Sequence, residues 1–236
     1  MTTVGRWVWF TLVVLVVTLV FFECTDVDLR LQQLFYDPSS RSWLVDGNAP
    51  LPRLIFYSGI KWVLAGCGAV VIFSWLAGFW QPGLRPWRRV LFFIILAMGM
   101  VPLVVAGAKK VTNVFCPSDL ALFNGNKPYV KLLEPMPESI DECGCCFPAG
   151  HASGGFSLMA LYFLSRRRRS RLLGLATGVG LGWVMGIYQM LKGAHFLSHT
   201  IVTMEIAWLL ILLFYALLYR GWRTPLAEAV CERLPD

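Results

Sequence analysis

Six apolar stretches, at residues 7–22, 58–80, 90–107, 152–164, 172–191 and 200–219, leave this chain little choice of solvent. A helix that crosses a bilayer needs about 20 mostly apolar residues. Most of these stretches approach that length unaided. The fourth is short and rich in small residues (Ala152, Ser153, Gly154, Gly155), and reaches a full span when it begins near Pro148. The pattern predicts an all-α polytopic membrane protein. Six transmembrane helices are expected at about 7–22, 58–80, 90–107, 148–164, 172–191 and 199–219, within one domain covering 1–236. Composition agrees: 57% of the residues are hydrophobic and only 15% charged, whereas a soluble domain carries about a quarter charged residues. The first stretch has the apolar character of a signal peptide but lacks a small-x-small cleavage site, since Phe22-Glu23-Cys24-Thr25 is a poor one. It reads as an uncleaved helix.

A net charge of +7 raises the question of nucleic acid. The positions answer it. Arg166 to Arg169 and Arg171 form one short run between two apolar stretches, which is how a cytoplasmic anchor looks. A nucleic-acid groove needs a polar surface to line, and none is expected here. Arg6, the group Arg85, Arg88 and Arg89, the arginine run, and Arg220 with Arg223 all fall on one side of the six-span layout. By the positive-inside bias that side is the cytoplasm, with both termini on it. Segments 23–57 and 108–147 and the short loop 192–199 then lie on the outer face.

Those outer segments hold most of the cysteines: Cys24, Cys116, Cys143, Cys145 and Cys146. In an oxidising compartment disulfides persist. A bridge from Cys116 to one of Cys143, Cys145 or Cys146 would staple the long loop to the fourth helix. The competing reading is a zinc site built on the same sulfurs, which adjacent cysteines fit poorly. Cys67, inside a span, reads as a small core residue.

The chain has three histidines, His151, His195 and His199, and all fall at the outer ends of spans. Singly, each would be an interfacial residue with a local hydrogen bond. Together, on one face, they suggest a site. The four-residue spacing places His195 and His199 on one side of a helix. Lys109 and Lys110, at the outer end of the third helix, oppose the positive-inside bias, which is explained if an anion sits there; otherwise they merely snorkel. Lys192 adds charge beside the histidines. Pro148-Ala149-Gly150 precedes a helix start, whose free N–H groups favour phosphate. Lysines, backbone amides and histidines together suit phosphoryl transfer: cations hold the oxygens, one histidine attacks phosphorus and another protonates the leaving group. No carboxylate cage for Mg²⁺ is visible, so the lysines are expected to replace a metal, with no cofactor required. A histidine metal site is the alternative use of the same residues.

At these residues the sequence resembles the type 2 phosphatidic acid phosphatase superfamily, and within it the bacterial membrane branch that includes lipid A phosphatases. The family pattern runs Lys-x6-Arg-Pro, then Pro-Ser-Gly-His, then Ser-Arg-x5-His-x3-Asp. Here Lys109 precedes Cys116-Pro117 at the same spacing, with Cys for the first Arg. Pro148-Ala149-Gly150-His151 matches the second part with Ala for Ser, and it is the most specific of the three. In the third, Gln189 stands in the Arg position, His195 in the nucleophile position and His199 where Asp is expected. The resemblance implies His195 as nucleophile, His151 as the acid for the leaving group, and Lys109 and Gly150 as phosphate ligands. Lys192, helped by Lys110, is the candidate for the charge of the missing arginines, although a lysine lacks their bidentate geometry. His199, or Glu205 within the sixth span, is the candidate to orient His195; a helix–helix hydrogen bond is the plainer role for Glu205. Ser153 and Asn113 are further candidate donors, and Phe123, Tyr129 and Leu132 lie in the loop expected to select substrate.

The expected function is a membrane lipid phosphatase acting at the periplasmic face of a bacterial inner membrane through a phosphohistidine. The substrate is a lipid phosphate: lipid A, an isoprenyl (pyro)phosphate, phosphatidylglycerol phosphate or phosphatidic acid. Membrane lipids are the other expected partners. Transfer of the phosphoryl group to a lipid hydroxyl uses the same intermediate and stays open. So do a non-catalytic lipid-phosphate binder and a metal-dependent hydrolase.

Overall fold

The computed structural model describes residues 3–165 and 167–219. Arg166, Arg220 and Arg223 of the charge argument lie outside them. Five helical stretches are long and apolar enough to cross a membrane: Thr3–Cys24, Pro50–Ala77, Pro82–Ala108, Arg168–Leu191 and Leu197–Leu218. Their outer surfaces require lipid. Trp62 exposes 73% and Trp80 79% of its surface, and a monomer in water rarely shows contiguous apolar area on this scale.

In chain order, α1 is Thr3–Cys24 and α2 is the short Val27–Gln33. A hairpin follows, β1 (Tyr36–Asp37) pairing antiparallel with β2 (Ser42–Trp43), a small departure from an all-helical chain. α3 (Pro50–Arg53) runs through a π-helical turn, Leu54–Gly59, into α4 (Ile60–Ala77). Gly59 makes that turn possible, because a Cβ there would meet the Leu54 carbonyl oxygen at 2.5 Å. A 3₁₀ turn at Pro82–Trp87 leads into α5 (Arg88–Ala108). After the long loop come α6 (Gly150–Ser157), a 3₁₀ extension Leu158–Phe163, α7 (Arg168–Leu191) and α8 (Leu197–Leu218).

The stretch expected as a span at 148–164 differs from the others. It is one short α-helix continued as a 3₁₀-helix, and it is buried rather than lipid-facing: Ala152, Ser153, Gly155 and Phe156 are all inside. The higher rise of the 3₁₀ part brings its total length to about 24 Å. Its small residues serve packing. A Cβ at Gly155 would lie 2.5 Å from the Gly182 nitrogen, and one at Gly178 only 2.2 Å from the Met159 nitrogen. α6 and α7 therefore touch backbone to backbone, as small residues allow between membrane helices. Phe93, Ala97 and Val101 of α5 and Ala207 and Ile211 of α8 close the core around α6. By contrast no residue of α4 is buried. Cys67 on α4 is exposed, so it faces outward and is not the core residue expected from sequence; α4 lies at the rim of the bundle.

The loop 109–149 is folded down onto the helix ends. Cys116 and Cys146 form a disulfide, selecting one of the pairings left open by the sequence. Val114 bridges to Cys145, and the Cys146 N–H donates to the Val114 carbonyl at 2.9 Å. Phe115, Leu120 and Phe123 pack with Phe196 and with Tyr36 and Trp43 of the hairpin. Asn113 accepts the Gly144 N–H at 2.7 Å, so it fastens the loop.

Two outcomes test this packing. Gly178→Ala forces the α6–α7 contact apart and is expected to cost about 1–3 kcal/mol, whereas Gly180→Ala, with nothing within 4 Å of the added carbon, leaves the melting temperature unchanged or slightly higher; thermal unfolding in detergent reads both. Cys116→Ser opens a loop closed across 30 residues and is expected to lower stability by about 3–4 kcal/mol, with the wild type falling to the same midpoint after reduction.

Candidate functional site

Four helix ends meet at one end of the bundle: the C-termini of α5 and α7 and the N-termini of α6 and α8. Lys109, just past α5, reaches back over the start of α6. A Cβ on Gly150 would lie 3.2 Å from Lys109 Cε and 3.4 Å from Nζ, so the absent side chain leaves the ammonium beside the first turn. The N-terminus of a helix carries partial positive charge. Two positive ends placed together call for an anion between them. Burial lowers the Lys109 pKa below the ordinary lysine value, which is the cost of holding this charge without a carboxylate.

His151, one residue on, stacks on Tyr57 of the π-helical turn with ring centroids 3.9 Å apart. Its Nε2 is buried and has no hydrogen-bond partner. Lys192, Lys61 and Lys109 are all near enough for their charges to act on it. Lys192 sits with Nζ 4.8 Å from the Tyr57 ring centroid and 5.4 Å from that of Tyr188. Burial, then the neighbouring Arg53, lowers the Lys192 pKa. Among the described residues the ion pairs are Lys127–Glu142 and Lys131–Asp26, so Arg53, Lys61, Lys109 and Lys192 converge without a carboxylate of their own. Arg53 and Lys61 were not singled out from the sequence. They precede the other site residues by about fifty positions or more, and only the π-helical turn and the docking of α4 bring them in. Lys110, by contrast, is exposed, and the structure does not bring it to this cluster.

His195 lies in the turn between α7 and α8 and is 5% exposed. Its Nδ1 faces inward, 3.3 Å from Cys146 Sγ and 3.4 Å from His199 Nδ1. This leaves Nε2 as the ring nitrogen free to act on a ligand. Burial first, then the charges at His199 and Lys109, lowers its pKa well below the ordinary histidine value, so the ring is neutral and its free nitrogen keeps a lone pair. Gly193, with φ +74°, makes the turn, and a side chain there would strike the Trp43 ring at 2.2 Å. Ser153 donates to the Gly150 carbonyl at 2.6 Å within its own helix. Glu205 accepts from Thr18 of α1 at 2.7 Å, the helix–helix bond that was the plainer reading, and six residues along α8 from His199 it is not brought to His195.

Cys146 Sγ, His195 and His199 offer donor atoms within 4.8 Å of one another. A metal would need the Cys146 thiolate, and that sulfur is committed to the disulfide with Cys116. The remaining pair of imidazoles makes an incomplete donor set.

Below the cluster a cleft of about 640 Å³ runs between α4, α5 and α6. Lys61, Lys109, Gly150 and His151 stand at its head, and its walls, including Leu64, Ile72, Ile95 and Met98, are apolar. A cluster of cations thus stands at the head of an apolar cleft.

The lipid A 4'-phosphatase of Francisella tularensis subsp. novicida (strain U112) is 28% identical over 138 residues, which cover 57% of this chain and 60% of that protein. The match therefore spans less than two thirds of the relative's length. No solved structure matches. The profile of the PAP2 superfamily matches residues 90–223, from α5 onward and including Lys109, His151 and His195. This chain belongs to the PAP2 superfamily.

Proposed function

We propose that this protein removes phosphate from a membrane lipid at the periplasmic face of a bacterial inner membrane, through a phosphohistidine at His195 and without a metal. The observation that carries the reading is the convergence of Lys61, Lys109 and Lys192 on His151 at the head of an apolar cleft, with Arg53 beside Lys192. A phosphate group meets the cations while its acyl or prenyl chain follows the slot into the bilayer. The named relative, a lipid A 4'-phosphatase, supports a lipid phosphate as substrate. The histidine end of the bundle lies opposite the ends of α1, α5 and α7 that carry Arg6, Arg88, Arg89 and Arg168, which by the positive-inside bias supports an outer position for it, in a reading of six spans in one domain.

In the proposed reaction His195 Nε2 attacks phosphorus in line. The bond from phosphorus to the lipid oxygen breaks, and His151 gives its proton to that oxygen. Water then attacks the phosphohistidine, His151 takes the water proton, and the phosphorus–nitrogen bond breaks to release phosphate and restore His195. Lys109, Lys61 and Lys192, with the free N–H groups of the first turn of α6, hold the equatorial oxygens as charge develops. His199 receives the Nδ1 proton of His195 as a hydrogen bond, which keeps the lone pair on Nε2.

Phosphate release by detergent-purified protein from lipid A, an isoprenyl phosphate, phosphatidylglycerol phosphate and phosphatidic acid tests this. Release is expected from at least one of them, unchanged by EDTA, absent in His195→Ala and reduced about 10²–10⁴-fold in His151→Ala. Lys192→Ala is expected mainly to raise KM. Full activity in His195→Ala, or loss of activity with EDTA, would remove the proposed nucleophile or the metal-free mechanism respectively.

A further inference from the structure

The PAP2 match begins at residue 90, yet the turn that carries His195 is held from outside that match, by α2. The two buried residues of α2 are Asp28 and Gln32, four apart and so on one face. Gln32 Nε2 donates to the Met190 carbonyl at 2.8 Å, at the end of α7. Asp28 Oδ1 accepts the Ser198 N–H at 2.9 Å, in the first turn of α8. One helix thus grips both ends of the turn 191–197. The grip at α8 satisfies an amide that has no partner within its own helix, and does so with a carboxylate at the positive end of that helix.

Asp28 also borders a small void of about 40 Å³ together with Ser198, His199, Phe147 and Phe196. That is space for a water, and both the carboxylate and the imidazole that bonds the proposed nucleophile line it. In the family pattern the position of His199 holds an aspartate, and here the carboxylate is displaced to another helix.

We propose that Asp28 is a positioning residue for His195: it fixes the start of α8 and, across the void, supplies through His199 the negative charge that the third motif of this chain lacks. The inference rests on the phosphatase reading above. As phosphorus is attacked, positive charge builds on the His195 ring. Nδ1–H of His195 donates to His199 Nδ1, 3.4 Å away, and Asp28 lines the same pocket as that imidazole, so its negative charge acts on the pair across the pocket. No proton needs to be lost to solvent and none is consumed.

The groups facing Asp28 make its ionisation specific. Glu23 of α1 and Tyr129 and Lys131 of the loop border the same void, with His199 on α8. Lys131 is engaged by Asp26, at 3.0 Å, and by the Glu23 carbonyl. Burial pushes the Asp28 carboxyl up to about 6, against hydrogen bonds from Ser198 and Leu197 that lower it. Above that pH the carboxylate is charged and acts on the pair; below it the charge is lost.

The test is steady-state hydrolysis of the best lipid phosphate across pH 5–8 by the full chain and by Asp28→Asn, Asp28→Ala and Gln32→Leu, each with its melting temperature. Asp28→Asn keeps an acceptor for the Ser198 amide, so its melting temperature should stay near that of the wild type. Its kcat should fall about tenfold or more with KM within twofold, and the fall of wild-type kcat below about pH 6 should disappear. Gln32→Leu should lower the melting temperature and keep the wild-type pH profile. Wild-type kcat and pH profile in Asp28→Asn, with losses only in Asp28→Ala, would show Asp28 to be a helix cap and overturn this inference while leaving the phosphatase standing. Absence of phosphate release by the wild type from every lipid would overturn the phosphatase reading and this inference with it.

Discussion

The turn between α7 and α8 governs this molecule. It is irregular backbone at the mouth of a membrane bundle, where an unpaired amide or carbonyl is costly unless it is buried in protein and paired. Its partners come from every outer segment: the Val45 N–H donates to Leu191, the Ser118 N–H to the Gly193 carbonyl at 2.8 Å, and the Ala149 N–H to the His199 carbonyl at 3.2 Å. Gln32 and Asp28 add two more. The hairpin, the disulfide loop and the start of α6 thus have defined places because each supplies a group the turn requires. In return, the turn presents Lys192 and His195 in one arrangement.

The charges follow a different logic from the backbone. Several backbone groups of the turn are paired, whereas the cations at the head of the cleft make no ion pair among the described residues. Lys109 beside the first turn of α6, and Lys192 beside Arg53, are held in mutual repulsion by the fold around them. This repulsion costs stability, and the phosphate of the proposed substrate would relieve it, whereas a carboxylate already in place would compete. The disulfide has a part in this. Cys116 stands where the family pattern has arginine, and its partner Cys146 packs against His195. A position that elsewhere carries charge has become structural, while charge is supplied from α3 and α4.

Much of the helical layout was legible because lipid imposes one simple pattern. The span expected at 90–107 is α5 at Arg88–Ala108, and that at 172–191 is α7 at Arg168–Leu191. The 148–164 stretch was less legible, because glycines that serve close backbone contact with α7 lower its hydropathy and the 3₁₀ continuation has no distinct periodicity. Within the site, Lys109, Gly150, His151, Lys192 and His195 do gather at one end, as their spacing suggested. Arg53 and Lys61 were invisible in sequence because they sit in no motif and reach the site only through the tertiary docking of α4. Cys67 misled for a related reason. A small residue inside an apolar run looks like packing, but at the rim of a membrane bundle lipid tolerates it equally well.

That rim position of α4 has a mechanical meaning. α4 has no fully buried residue, and it holds to the bundle through half-buried contacts: Val71 packs on the core and Trp75 stacks on Phe92 of α5. Yet it carries one wall of the cleft, Lys61 at its head, and follows directly from the turn bearing Tyr57. One side of that helix therefore faces the cleft and the other faces outward from the bundle. A wall held by half-buried contacts alone is the part of the cleft that opens at the lowest cost.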